Sequence, residues 1–214
     1  MQGTKFQSAS RLLLNLGRHP RYIWRYLRHL PCWRRSPVDL ELPWMSYGVI
    51  DFLSKALHSH QAVFEFGSGG SSLFFARRVK RVVSVENDAV WHGIVTAAAS
   101  QRGITNLDCQ FHPIDPTKPE TFAGLSYFQT LVAGEFDIVV IDGFCDYGNA
   151  RNGTLRQIAF DHAISRVRPG GLIIVDDIWM FPELVARSAP DRVRLFVSPG
   201  PCRYGVTSTA VFQC

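Results

Sequence analysis

The sequence contains no apolar run of about eighteen residues, the length that marks a helix crossing a bilayer. Its N-terminal segment has no continuous apolar core followed by small residues, so a secretory leader is not expected. Cysteine is sparse and irregular: Cys32, Cys109, Cys145, Cys202 and Cys214 are odd in number and never spaced as CxxC. That pattern argues against a disulfide framework and a zinc site, and for reduced thiols in a cytoplasmic setting. There is no internal repeat and no low-complexity tract. Acidic residues are nearly missing from the first forty positions, which hold eight basic residues and one acid, a local charge of +7. The whole chain carries +5, so the remaining 174 residues sum to −2. The basic character belongs to an N-terminal arm, and the body lacks the overall positive charge expected of a nucleic-acid binder.

What is present is enough for a sizeable core. Of 214 residues 46% are hydrophobic and 19% charged, which suits one domain of about 100–200 residues with an extension. Residues 1–42 read as the basic, partly helical arm and 43–214 as the domain. From residue 60 onward short runs rich in Val, Ile and Phe alternate with helix-like segments. The runs 62–66, 81–85, 108–112, 136–141 and 171–175 read as strands, several of them apolar on both faces, as in a parallel sheet covered by helices. Segments 71–79, 89–101 and 153–167 read as the helices between them, and 47–58 as a helix ahead of the sheet. The βαβ rhythm implies an α/β, doubly wound, mostly parallel sheet. At the end, 193–197 and 206–212 are strands separated by only eight turn-rich residues. That leaves room for a C-terminal antiparallel hairpin and no helix.

The stretch VFEFGSGGSSLFFA (63–76) joins the first strand to a helix through Gly67, Gly69 and Gly70. It is not a dinucleotide fingerprint, because the third glycine of GxGxxG is replaced by Ser72. It is not a phosphate loop, because the lysine of that motif is missing. It carries an acid instead. Glu65 stands at the carboxyl end of the strand, where open α/β sheets bind ligands; it would repel a pyrophosphate and suit an ammonium group. Glu86 ends the next strand in VVSVEND, 19 residues after Gly67, where a carboxylate can accept both hydroxyls of a ribose. A nucleoside with an amino-acid tail and no phosphate meets both demands, and S-adenosylmethionine is such a molecule.

At this point the chain resembles the class I S-adenosylmethionine-dependent methyltransferases. The resemblance is carried by EFGSGG with Glu86 downstream, FDIVVIDG (136–143), VRPGGLIIVDD (167–177) and the final hairpin, and it covers roughly residues 43–214. It implies a seven-stranded sheet with the last strand inserted antiparallel. It also implies that Glu65 through Ser71 lie along the methionine moiety and that Glu86 holds the ribose. The residues expected at the cofactor are Glu65, Gly67, Ser68, Gly69, Ser71, Ser72, Glu86, Asn87 and Asp142.

Asp142 ends the fourth strand, beside the expected position of the transferring methyl group, as base or orienting group. Asp176 follows the fifth strand and is the second catalytic candidate. With Asp177 these acids could form an oxygen-rich cation site. The metal-dependent O-methyltransferases that resemble this chain place an Asp-Asn pair where Asp176-Asp177 stands, and a lysine where Gly143-Phe144 stands. A divalent metal is therefore not favoured. His162 falls on the apolar repeat of its helix and reads as a packed histidine. Asp146 and Tyr147 lie in a glycine-containing loop of the kind that carries specificity. Trp44, Ser46 and Tyr47 precede the first helix of the domain and either cover the cofactor or anchor the arm. Asp115 follows the third strand, where adenine is often contacted in this fold.

The expectation is an enzyme that O-methylates a small molecule or a sugar-type acceptor. An NAD-linked oxidoreductase and a non-catalytic S-adenosylmethionine-binding module are the alternatives. No NPPY-like loop of nucleic-acid methyltransferases follows the fourth strand. The sequence sets no oligomeric state. In the arm, Arg18, Arg21, Arg25 and Arg28 recur at helical spacing, with Ile23, Trp24, Leu27 and Leu30 as apolar neighbours and Tyr22 and Tyr26 at the border. Two readings stand: a helix docked on the body with its arginines solvated, or peripheral contact of residues 18–30 with anionic membrane.

Overall fold

A computed structural model describes residues 5–30, 35–115, 124–143 and 153–214. The strands are β1 (Ala62–Phe66), β2 (Arg81–Glu86), β3 (Leu107–Phe111), β4 (Ile138–Ile141), β5 (Leu172–Asp176), β6 (Val193–Pro199) and β7 (Val206–Gln213). They form one seven-stranded sheet in the order β3-β2-β1-β4-β5-β7-β6. The first five run parallel, and β7 pairs antiparallel with both β5 and β6. The final hairpin is thus present, with its second strand inserted between β5 and its own partner.

The helices are α1 (Lys5–Arg18), α2 (Ile23–His29), α3 (Pro37–Leu40), α4 (Tyr47–Ala56), α5 (Gly70–Ala76), α6 (Ala89–Gln101), α7 (Ser126–Gln129), α8 (Gly153–Arg166) and α9 (Pro182–Ala186). Local chemistry starts them. The Ser46 hydroxyl accepts the Val49 amide at the head of α4, and the Asp88 carboxylate accepts the Trp91 amide at the head of α6. No described helix is long and apolar enough to cross a membrane.

Alternation along the strands splits the core in two. Phe64, Phe66, Val83, Val85, Val139, Ile141, Ile173 and Val175 face a cluster with Phe128, Phe160, Ala163 and Phe181. Val63, Val82, Ile138, Val140 and Ile174 face the other, with Tyr47, Ile50, Leu53, Phe74 and Phe75. Each large apolar side chain buried in this way contributes about 1.5–3 kcal/mol. Residues buried on both faces are what give β1, β4 and β5 their uninterrupted apolar runs.

The arm differs in detail from the sequence reading. Arg18 ends α1, and a single 3₁₀ turn at Pro20–Tyr22 separates it from α2. Tyr22 and Tyr26 do not lie at a border: both are buried in the second cluster, beside Tyr47 and Met45. The reason is polar as well as apolar. Arg25 pairs with Asp51 of α4 at 2.6 Å and lies over the Tyr47 ring at 4.5 Å, which fixes the helix with its tyrosines inward. Ile23, Trp24 and Leu27 are left on the outside.

Candidate active site

The carboxyl ends of β1, β2, β4 and β5 meet at one rim of the sheet, since β2-β1-β4-β5 are neighbours. Each ends in or just before an acid or a glycine. Gly67 turns the chain out of β1 with φ +93°, a conformation that suits glycine. A Cβ there would lie 2.7 Å from the Gly143 Cα, so the loops after β1 and β4 pass each other backbone to backbone.

Glu65 is wholly buried beneath this loop. Its Oε2 accepts hydrogen bonds from Ser72 Oγ at 2.5 Å and Ser84 Oγ at 2.9 Å. Ser72 Oγ in turn accepts the Gly69 amide at 3.0 Å, linking acid, helix and loop. The residue that replaces the third glycine is therefore structural: its hydroxyl ties α5 to the carboxylate. The other oxygen, Oε1, has no hydrogen-bond partner among the described residues. Burial pushes the Glu65 carboxyl up to about 7, against the nearby hydroxyls of Ser71, Ser72 and Ser84.

Glu86 is also buried, in a different role. Its Oε2 accepts Ser68 N and Ser68 Oγ, both at 2.9 Å. Its Oε1 accepts the amides of Asn87 at 2.8 Å and Asp88 at 2.9 Å. Trp91 Nε1 donates to the Ser68 carbonyl at 2.7 Å. Glu86 thus holds the glycine loop as well as standing at its mouth. Asn87 contributes its backbone amide to this arrangement.

Asp142 lies just past β4, and its amide continues the pairing with β1 by donating to the Phe66 carbonyl at 3.0 Å. Arg156 of α8 reaches its Oδ1 at 3.4 Å. The same buried guanidinium donates to the carbonyls of Gly143 and Asp176, so it bridges the ends of β4 and β5. Burial raises the Asp142 carboxyl to about 7; Arg156 opposes the shift and Asp177 adds to it. Asp176 is raised as well, first by burial and then by Asp142 and Asp177.

Asp176 and Asp177 are engaged elsewhere. Asp176 Oδ1 accepts Thr209 Oγ1 at 2.6 Å, and Asp177 Oδ1 accepts Thr207 Oγ1 at 2.8 Å and Trp179 Nε1 at 3.1 Å. Arg203 stands 3.5 Å from Asp177 and 3.9 Å from Asp176, stacked on Trp44 at 5.1 Å. Two arginines supply positive charge among these acids, and among the described residues no three His, Cys, Asp or Glu side chains converge as a metal site. Sequence reasoning overlooked both arginines. Arg156 opens an i, i+4, i+7 stripe with Phe160 and Ala163, both buried; a cation on such a stripe is a readable signal.

The remaining candidates disperse. Ser46 and Tyr47 are buried in packing, the former also bonded to Thr209, the latter close to His29. Asp115 is exposed just past β3. His162 packs on the Phe128 ring at 5.6 Å, away from the rim, and its Nδ1 is buried without a partner among the described residues. Asp146 and Tyr147 fall outside the described residues.

Residues 64–178 match a family model described as a methyltransferase domain, more than half of the chain. The chain belongs to the methyltransferase domain family. Its fold is that of the class I enzymes. An O-methyltransferase of Streptomyces achromogenes, solved with SAM, is 18% identical with a TM-score of 0.56, over 87% of this chain and 88% of that one. An O-methyltransferase of Bacillus cereus, solved with SAH, is 17% identical with a TM-score of 0.51, over 99% and 93%. An rRNA methylase of Streptococcus thermophilus is 15% identical with a TM-score of 0.54, over 84% and 97%. No curated protein matches the sequence.

Proposed function

We propose that this methyltransferase uses S-adenosylmethionine to methylate a hydroxyl of a small molecule or sugar-type acceptor. The observation that carries the reading is Glu65. It is a buried carboxylate under a glycine loop, with one oxygen held by two serines and the other unpartnered among the described residues. A buried oxygen without a donor is costly, about 1–3 kcal/mol. An ammonium group repairs that deficit, whereas a phosphate would be repelled. The donor set therefore fits an amino-acid tail and disfavours NAD.

In this reading Glu65 receives the ammonium group, and Glu86, kept aligned by the backbone amides of Ser68, Asn87 and Asp88, receives the ribose as the Ser68 hydroxyl yields its place on Oε2. Gly67, Ser68, Gly69, Ser71 and Ser72 frame the tail, and Asn87 stands beside Glu86 at the ribose. When bound, S-adenosylmethionine supplies a methyl group on a good sulfonium leaving group. The chain's own task is to align the acceptor, exclude water and take the hydroxyl proton. Proximity of this kind can supply about 7–11 kcal/mol. Asp142 is the proton acceptor: its carboxyl sits near neutrality, the range in which a general base works best. Arg156 holds it in place, and Asp176 contributes through Thr209 and the electrostatics of the pair.

The test is mass spectrometry of ligand retained by the purified protein, followed by a methyl-acceptor screen over hydroxylated small molecules, glycans and ribosomal RNA. Adenosyl compounds retained, with label transferred to a hydroxylated small molecule or glycan, is the expected result. Transfer to RNA alone would overturn the acceptor class and leave the cofactor.

A further inference from the structure

We propose that the outward face of α2 is a docking surface for an anionic phospholipid bilayer. The arm turns inward the residues that the core needs: Leu12 and Leu16 of α1, Tyr22 and Tyr26, and Leu30 all pack on the second cluster. That leaves outside a set of large apolar side chains that no described residue covers. Trp24 is 82% exposed, Leu27 50%, and Leu13 and Leu14 of α1 70% and 64%. Docking on its own body accounts for the inward residues and gives no use to large apolar side chains on the outer face.

Charge identifies the occupant. Arg11, Arg18, Arg21, Arg28 and Arg35 are exposed in the same segment. The neighbouring acids are engaged: Asp51 pairs with Arg25, Glu41 with Arg77 and Arg102, and Asp39 with Ser36. A groove of about 670 Å³ is lined by Trp24, Arg25, Leu27, Arg28, His29 and Leu42, with no acid among the described lining residues. Burial, and then the charges of Arg25, Arg28 and Arg35, lower the His29 pKa, so the histidine stays neutral while the groove stays cationic. Aliphatic and indole side chains framed by arginines match headgroups above and acyl chains below. A nucleic acid would instead want successive aromatic stacking platforms; along this segment the two tyrosines are buried and Trp24 stands without a second exposed aromatic ring beside it among the described residues. The groove adjoins the site: the Leu42 carbonyl lies 2.3 Å from where a Gly70 Cβ would stand, at the start of α5.

The experiment is co-sedimentation of the full chain with vesicles of phosphatidylcholine alone or with 30% phosphatidylglycerol, roughly the content at which the ~1 kcal/mol per basic residue expected of an anionic surface is readable. The expected result is binding to the anionic vesicles only, weakened by salt. Arg18→Gln/Arg28→Gln should lower it by about thirty-fold, at ~1 kcal/mol per charge. Trp24→Ser/Leu27→Ser should lower it at least about tenfold. These side chains are exposed, so melting temperature and calorimetric cofactor affinity should stay at wild-type values; if the second variant is destabilised, the arginine variant alone decides. Equal binding to both vesicle types, or undiminished binding by the arginine variant, overturns the proposal. So does tighter retention of single-stranded RNA than of anionic vesicles. A concentration-dependent dimer abolished by Trp24→Ser/Leu27→Ser, without vesicle binding, would make a second copy the occupant and overturn it too. The proposal does not rest on the methyl-transfer reading.

Discussion

Two carboxylates on adjacent strands do different work. Glu65 is short of a partner, while Glu86 accepts four donors. The titration of Glu65 gives a signed prediction. Only its ionised form attracts an ammonium group, and its carboxyl sits at about 7. S-adenosylmethionine affinity should therefore fall about tenfold per pH unit below neutrality and level off above it. Glu65→Gln should bind weakly at every pH, with no such slope; calorimetry across pH 5.5–8.5, about the range in which the ~7 carboxyl changes state, reads both. Glu86→Ala should weaken cofactor binding by about 1.5–3 kcal/mol, the worth of hydrogen bonds to a charged group. Asp142→Asn should leave that affinity nearly unchanged and lower kcat by about 10²–10⁴-fold, the range for a general base. If Glu86→Ala bound the cofactor as wild type does, the ribose role would be wrong.

The elements of the sheet were legible because each short Val/Ile/Phe run is buried on two faces and bounded by turn residues. The closing hairpin was legible because its connection is too short for a helix. Where tertiary contacts decide orientation, the sequence misled. Tyr22 and Tyr26 look like border residues until Arg25 finds Asp51 and turns them inward. The stripe of Arg156 marks a buried cation in the sequence, but what it bridges shows only once β4 and β5 end on either side of it. Glu65 and Glu86 were visible because a strand-end acid beside a glycine loop has few other uses; the capture of the Ser68 amide by Glu86 depends on loop geometry that no spacing reveals. One element-scale prediction concerns Gly70, the first residue of α5. A Cβ there would lie 2.2 Å from the Pro37 carbonyl oxygen, a backbone atom that cannot swing aside. Gly70→Ala should lower stability by about 1–3 kcal/mol, as overpacking does, and should lower cofactor affinity with it. Chemical denaturation reads the first effect, and an unchanged midpoint would mean that the α3 segment does not press on the loop.

At the scale of the whole molecule, the rim concentrates buried acids, and one of them, Glu65, keeps an oxygen that no described residue satisfies. The folded protein keeps a proton on Glu65 up to about pH 7, whereas an unfolded glutamate releases it near 4.3. Between those values the folded state binds more protons, so stability falls as pH rises, by up to about 1.4 kcal/mol per unit from this group. Asp142 and Asp176 shift in the same direction. The melting temperature of the ligand-free protein should decline from pH 5 to pH 7, on the order set by those ~4.3 and ~7 limits, and Glu65→Gln should flatten the decline. The central claim is that this rim holds an ammonium-bearing, phosphate-free nucleoside. Isothermal calorimetry of the wild-type chain at about pH 8, above the ~7 carboxyl of Glu65, tests it most directly. Saturable binding of S-adenosylmethionine and S-adenosylhomocysteine is expected, with no comparable heat from NAD; tight NAD binding with no response to either adenosyl compound would contradict that reading of the rim.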